Sequence, residues 1–240
     1  MNCERVIIRK VAIIAEVLCV IGAVLLYIWA LRPSWPYSWV AILAMIGASA
    51  YWRRETPAAV GLTLRHSRAG ARWIVLSLTA IAGVCLAIGA LSGTIRNASA
   101  AAVAGVLAVY CLWGLFQQYV LNGYLTRRLT GIFGEQRRVC TAVMAGGVFA
   151  LVHLPNPFLM MVTFVAGFTA AWLYSRYRNL VMLGVAHGVL GSLIWLAAPD
   201  PVTHHLYVGP NCVRYCQASG HVHSTGSLGA LLDPSAYDPR

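Results

Sequence analysis

The sequence predicts an all-α fold: a polytopic integral membrane helical bundle of about seven transmembrane helices, with its N-terminus inside. Three observations predict it. Residues of hydrophobic type make up 59% of the 240-residue chain and charged residues only 10%, against about 25% charged in soluble domains. The mean hydropathy is +0.69. The apolar runs approach the ~20 residues that a helix needs to cross a bilayer, and the basic residues collect in alternate connections between them, the pattern that sets membrane orientation. The net charge of +11 would point to nucleic acid in a soluble protein, but no basic stripe is interleaved with aromatics on a polar face, which argues against a nucleic-acid partner.

The first span is expected over Val11 to Leu31, too long an apolar run for a secretory signal and followed by a poor cleavage sequence. It contains Glu16, the only carboxylate within a span, close enough to Arg9 and Lys10 to pair at that end. Arg32 to Pro36 is a turn, with Trp35 and Tyr37 suited to the interface. Span 2 covers Tyr37 to Trp52 and is short. Residues 53–72 form a basic connector, and span 3 runs from Trp73 to Ser92. Span 4 runs from Ala98 to Leu125, about 42 Å at 1.5 Å per residue, and residues 126–138 form a basic loop with Gly131 and Gly134 as breakers. Span 5 covers Val139 to Leu154, span 6 Phe158 to Tyr174 with a small-residue face at Gly167, Ala170 and Ala171, and span 7 Leu180 to Ala198. Residues 1–198 are thus read as the transmembrane domain. Residues 199–240 are read as a polar, partly disordered tail outside the membrane. With the N-terminus inside and seven alternating spans, only Arg32, Arg96, Arg214 and Arg240 of the 18 Lys and Arg residues fall outside.

Polar side chains inside such spans require partners, because lipid offers none. Span 4 carries Gln117 and Gln118, with Asn122 one turn after Gln118 and on the same face. Spans 5 and 7 each carry one histidine, His153 and His187. A lone histidine would most simply fix helix packing; two at comparable depth, facing a diamide helix, point to a site. Imidazole can act as base, donor or metal ligand, and the amides can position water or stabilise an oxyanion, but cannot act as carboxylate bases. Two imidazoles fall short of the three protein ligands usual for catalytic zinc, so no cofactor is assigned there.

The order of these elements resembles the CPBP family, the CAAX-protease and bacteriocin-processing membrane endopeptidases that include the type II CAAX prenyl endopeptidases. The family pattern is Glu-Glu-x-x-x-Arg, then Phe-x-x-x-His, then His-x-x-x-Asn. Phe149 and His153 match the second motif and His187 opens the third, over a resemblance that covers about residues 55–195. The first motif reads Gln117, Gln118 and Asn122, and the last Asn is Gly191. The resemblance implies an intramembrane endopeptidase acting on a membrane-associated, lipidated or single-span protein, with His153, His187, Gln117, Gln118 and Asn122 at its site, in the cytoplasmic membrane of a bacterial host. The missing glutamates imply either different chemistry or an inactive relative that holds a partner without cutting it. A transporter is disfavoured, since there is no internal repeat and no charge within a span besides Glu16.

In the tail, His204, His205, Cys212, Cys216, His221 and His223 are of zinc-ligand type, although their spacing matches no standard finger. A Cys212–Cys216 disulfide is the competing use on an oxidising side. Of the remaining cysteines, Cys3 is in the N-terminal segment, and Cys19, Cys85, Cys111 and Cys140 lie in or at the edges of apolar runs and read as small hydrophobes.

Overall fold

A computed structural model describes residues 3–63 and 68–219. All seven predicted segments are helices, and the described residues contain no strand. In chain order they are α1 (Cys3–Leu26), α2 (Trp39–Trp52), α3 (Arg68–Leu91), α4 (Ala100–Gln118), α5 (Arg138–Leu151), α6 (Pro157–Tyr177) and α7 (Leu180–Ala197), followed by α8 (Pro210–Ala218) in the tail. The protein is an all-helical membrane protein. Among the described residues, five helices are long and apolar enough to cross a membrane: Glu4–Ser34, Gly70–Leu91, Ala100–Phe133, Pro157–Tyr177 and Leu180–Ala197. Large side chains on their outer faces, such as Leu18, Val84, Ile88, Val109 and Met161, lie exposed, as lipid requires of a bundle exterior.

The other two expected spans, α2 and α5, are 14 residues each, about 21 Å of helix at 1.5 Å per residue. Both nevertheless run between the same two ends of the bundle. Arg53 after α2 and Arg138 at the start of α5 line one basic cavity of about 430 Å³ with Arg9, Arg127, Arg128 and Arg178. At the opposite end, the Pro36 carbonyl accepts from Tyr27 Oη, and the Leu154 carbonyl accepts from Gly209 N at 2.8 Å. Arginines from separate connections are thereby gathered at one end, as the charge count requires, while Arg96 lies with Asp200 at the other.

Several boundaries differ from expectation. The first helix begins at Cys3 and the chain stays helical through Ser34, into the expected turn, and the helix after the connector begins at Arg68. Three further differences have a visible physical reason. The loop expected over 126–138 is helical as far as Phe133, because Gly131 is accommodated within the helix and the break falls at Gly134, whose φ of 89° is left-handed. Helix α5 ends at Leu151, so His153 sits on the turn that follows rather than within the helix. In the tail, residues 199–219 are folded onto the bundle by Asn156, which is fully buried: its Oδ1 caps α6 at Leu159 N, and its Nδ2 donates to the carbonyls of Thr203 and Tyr207 at 2.9 and 3.0 Å. The final stretch expected to be disordered, with His221 and His223, lies outside the described residues.

Glu16 does not pair with Arg9 or Lys10. It accepts from Ser49 Oγ and Arg53 across α2, and from Arg128 Nε at 2.9 Å. Arg128, 3% exposed, also donates to Glu55 Oε1 at 2.7 Å and lies over the Tyr124 ring. This closed network ties α1, α2, the start of the connector and the end of the long fourth helix at the basic end of the bundle. The main core beside it joins Ile13 and Val17 of α1 and Ile46 of α2 to Leu121, Leu125, Ala142 and Phe149.

Candidate active site

Helix α4 does not stop at Gln118. Residues Tyr119–Thr126 continue it as a π-helix and Arg127–Phe133 as an α-helix. π turns are rare and concentrate at functional sites, and this one carries Asn122 at 0% exposure. It is also the hub of the fold, since it touches α5, α6 and α7. No periodicity in the sequence marks the change in winding.

A directed hydrogen-bond chain runs along this segment. The Thr126 hydroxyl lies between the Leu121 carbonyl at 2.9 Å and Asn122 Oδ1 at 3.0 Å. Asn122 Nδ2 donates to Gln118 Oε1 at 2.5 Å. Gln118 Nε2 then faces His187 Nδ1 at 3.1 Å. Because an amide nitrogen only donates, His187 Nδ1 must accept, and the proton of the neutral ring sits on Nε2. His153 is fixed the opposite way. Its Nδ1 lies 2.6 Å from the Phe149 carbonyl, which only accepts, so Nδ1 carries the proton and Nε2 holds the lone pair.

The two rings border one another through Phe149. Its ring meets His153 edge-on at 4.9 Å and His187 at 6.0 Å between centroids. Close helix packing brings them there. A Cβ at Gly114 would stand 2.6 Å from the Gly184 carbonyl of α7, and one at Gly184 would stand 2.8 Å from Leu115 Cα, so only glycine lets α4 and α7 approach until Gln118 reaches His187. On the other side, a Cβ at Gly167 of α6 would press the Phe149 ring at 3.0 Å. Gly191, one turn beyond His187, lies directly against the Tyr110 ring and leaves no room for the longer side chain of the family motif without a shift of that ring.

The arrangement can therefore present one imidazole base and one imidazole donor against the same phenyl ring, each with its tautomer fixed by a partner. Gln117 is half-buried and makes no side-chain hydrogen bond among the described residues, so it stands apart from the chain that joins Gln118, Asn122 and His187. Thr126 is the member that sequence reasoning missed. It lies four residues after Asn122, a spacing that could have found it.

Residues 99–193 match the family model described as type II CAAX prenyl endopeptidase Rce1-like. The Rce1-like match spans α4 to α7 and takes in all five candidate residues, in agreement with the resemblance drawn from the motifs. No curated protein and no solved structure matches the chain.

At the far end of the bundle, the described part of the tail brings His204, Cys212 and Cys216 together, while His205 turns to Asp200 at 3.3 Å. Both cysteines are free. As a free thiol, Cys212 is pushed up to about 12 by burial and by neighbouring Cys216, which rules it out as a nucleophile at neutral pH.

Proposed function

We propose that the protein is an intramembrane endopeptidase that processes a membrane-associated protein, lipidated or single-span, at a site formed by His153 and His187 and ordered by Gln118 and Asn122. The observation that carries the reading is the opposite protonation of two imidazoles against one phenyl ring. His153 Nε2 takes a proton from a water, whose oxygen attacks the scissile carbonyl carbon. The His187 Nε2–H donates to the oxyanion that forms. As the tetrahedral adduct collapses, the C–N bond breaks and His153 returns its proton to the leaving amine. Gln118 and Asn122 hold the His187 ring in its donor tautomer. A half-buried Gln117 supplies a further amide for the peptide backbone.

A second reading has an observation of its own. The chain has amides where the family motif has two glutamates, so the same site would hold a lipidated or single-span partner without cutting it. Cells lacking the protein, complemented with wild type, His153→Ala or Gln118→Glu, separate the two by mass spectrometry of membrane-protein termini. Hydrolysis predicts a processed terminus that returns with wild type and falls by at least ~10²-fold with His153→Ala. Gln118→Glu would accept a proton from His187 Nδ1 and move the lone pair of that ring to Nε2, so the yield should change rather than stay constant. If every terminus is indifferent to all four backgrounds, the endopeptidase reading fails and the holding role remains.

A further inference from the structure

Beyond the membrane-embedded site, the segment after α7 carries a second cluster with chemistry of its own. We propose that His204, Cys212 and Cys216 form a zinc-binding site that ties α8 to the turn before it within the C-terminal cap. Their donor atoms all lie within 4.8 Å of one another. His204 Nδ1 is 3.8 Å from Cys212 Sγ and 3.8 Å from Cys216 Sγ. Ligands on a tetrahedral zinc, with Zn–S near 2.3 Å and Zn–N near 2.0–2.1 Å, stand about 3.6 Å apart for an S–N pair, so an ion fits between these atoms with little movement.

The local structure is arranged to present this triad. Cys212 and Cys216 are one turn apart on α8 and share a face. His204, His205 and Leu206 all have left-handed φ, at 49°, 51° and 57°, without a glycine among them. Such a run persists only where its surroundings hold it, and it marks a functional constraint. Here the holders are visible: Asn156 grips the carbonyls on both sides of the curl, at Thr203 and Tyr207. Gly209, bonded to Leu154 and packed against Ile28, sets the start of α8. The neighbouring candidates are excluded by their own partners. His205 faces Asp200, and Asp200 also takes Arg96. Among the described residues the set is therefore two thiols and one imidazole, a soft donor set that selects zinc over magnesium or calcium. Binding releases the two thiol protons to solvent and leaves two thiolates and a neutral ring around a 2+ ion, a neutral group that suits a site where Cys212 is 1% exposed. One coordination position remains for water or a further ligand.

The full chain without a polyhistidine tag, purified in detergent under reducing conditions, is the material for the test. Zinc is counted by mass spectrometry after dialysis, and cobalt(II) is added to the metal-stripped protein. The proposal expects about one zinc per chain, as for a single tetrahedral site, reduced at least several-fold in Cys216→Ser and in His204→Ala. It also expects a cobalt spectrum with a thiolate charge-transfer band in wild type that Cys216→Ser loses. Because the wild-type spectrum needs no variant, misfolding of a variant leaves the test intact. Zinc that survives both substitutions, a cobalt spectrum without thiolate character, or a Cys212–Cys216 disulfide in protein isolated without reductant would each overturn it. None of these readings depends on whether His153 and His187 catalyse.

Discussion

Two polar systems lie on the same long helix, only a few turns apart, and they are built on opposite principles. Around Arg128 the groups carry full charges, and the network is closed: Glu16, Glu55 and Ser49 surround one guanidinium, and Arg53 completes the shell. From Thr126 back to His187 the groups are neutral, and the chain is open-ended: each member donates to the next, and the last ring is left with a free Nε2–H. A closed network of charges holds helices together, because removing its buried central guanidinium strands the carboxylates around it. An open chain of neutral groups fixes the protonation of its terminal member and leaves that ring's other nitrogen outside the chain, which is what chemistry needs. The difference separates architecture from site without appeal to any single residue type.

This contrast can be broken most severely at Arg128. Arg128→Ala leaves Glu16 and Glu55 without their central cation and should cost about 3–5 kcal/mol, read as a large fall in the melting temperature of the detergent-solubilised protein. A melting temperature within a degree or two of wild type would show that the network is not structural. Asn122→Ala removes the middle of the neutral chain and strands Gln118 Oε1, at a cost of about 1–3 kcal/mol. Its sharper signature is on His187, whose imidazole ¹⁵N shifts should move away from the pure Nε2–H tautomer as Gln118 becomes free to turn. Unchanged shifts would mean that Gln118 is held by something other than Asn122. The smallest effect is expected at the exposed pair of Glu135 and Arg178, 3.3 Å apart with side chains 71% and 55% exposed. Glu135→Gln should alter stability by less than about 0.5 kcal/mol, and any larger change in the same melting assay would contradict the reading of that pair as solvent-screened.

Much of this organisation is legible in the sequence, and the limits are physical. The helical segments follow from hydropathy, and the sidedness of the arginines follows from their loops, since both are properties of local composition. The bonded pair Gln118 and Asn122 follows from helical spacing. The partners of Glu16 do not: the sequence places it near Arg9 and Lys10, whereas helix packing carries it to Arg53 and Arg128, residues 37 and 112 positions away. The π winding of Tyr119–Thr126 leaves no compositional trace, and the helical continuation through Gly131 overrides the glycine as a breaker because packing against Ile13 supports it.

The sequence by itself determined that this is a helical membrane protein and singled out Gln117, Gln118, Asn122, His153 and His187, besides Glu16, as polar groups within apolar segments, because lipid tolerates such groups only with partners. Tertiary structure alone decided which of them are joined. The glycine contact of α4 with α7 brings Gln118 to His187, the turn after α5 presents His153, and both imidazoles meet the Phe149 ring. Tautomers are fixed by hydrogen-bond partners across helices, and no pattern along a single chain encodes which partner a ring nitrogen will meet.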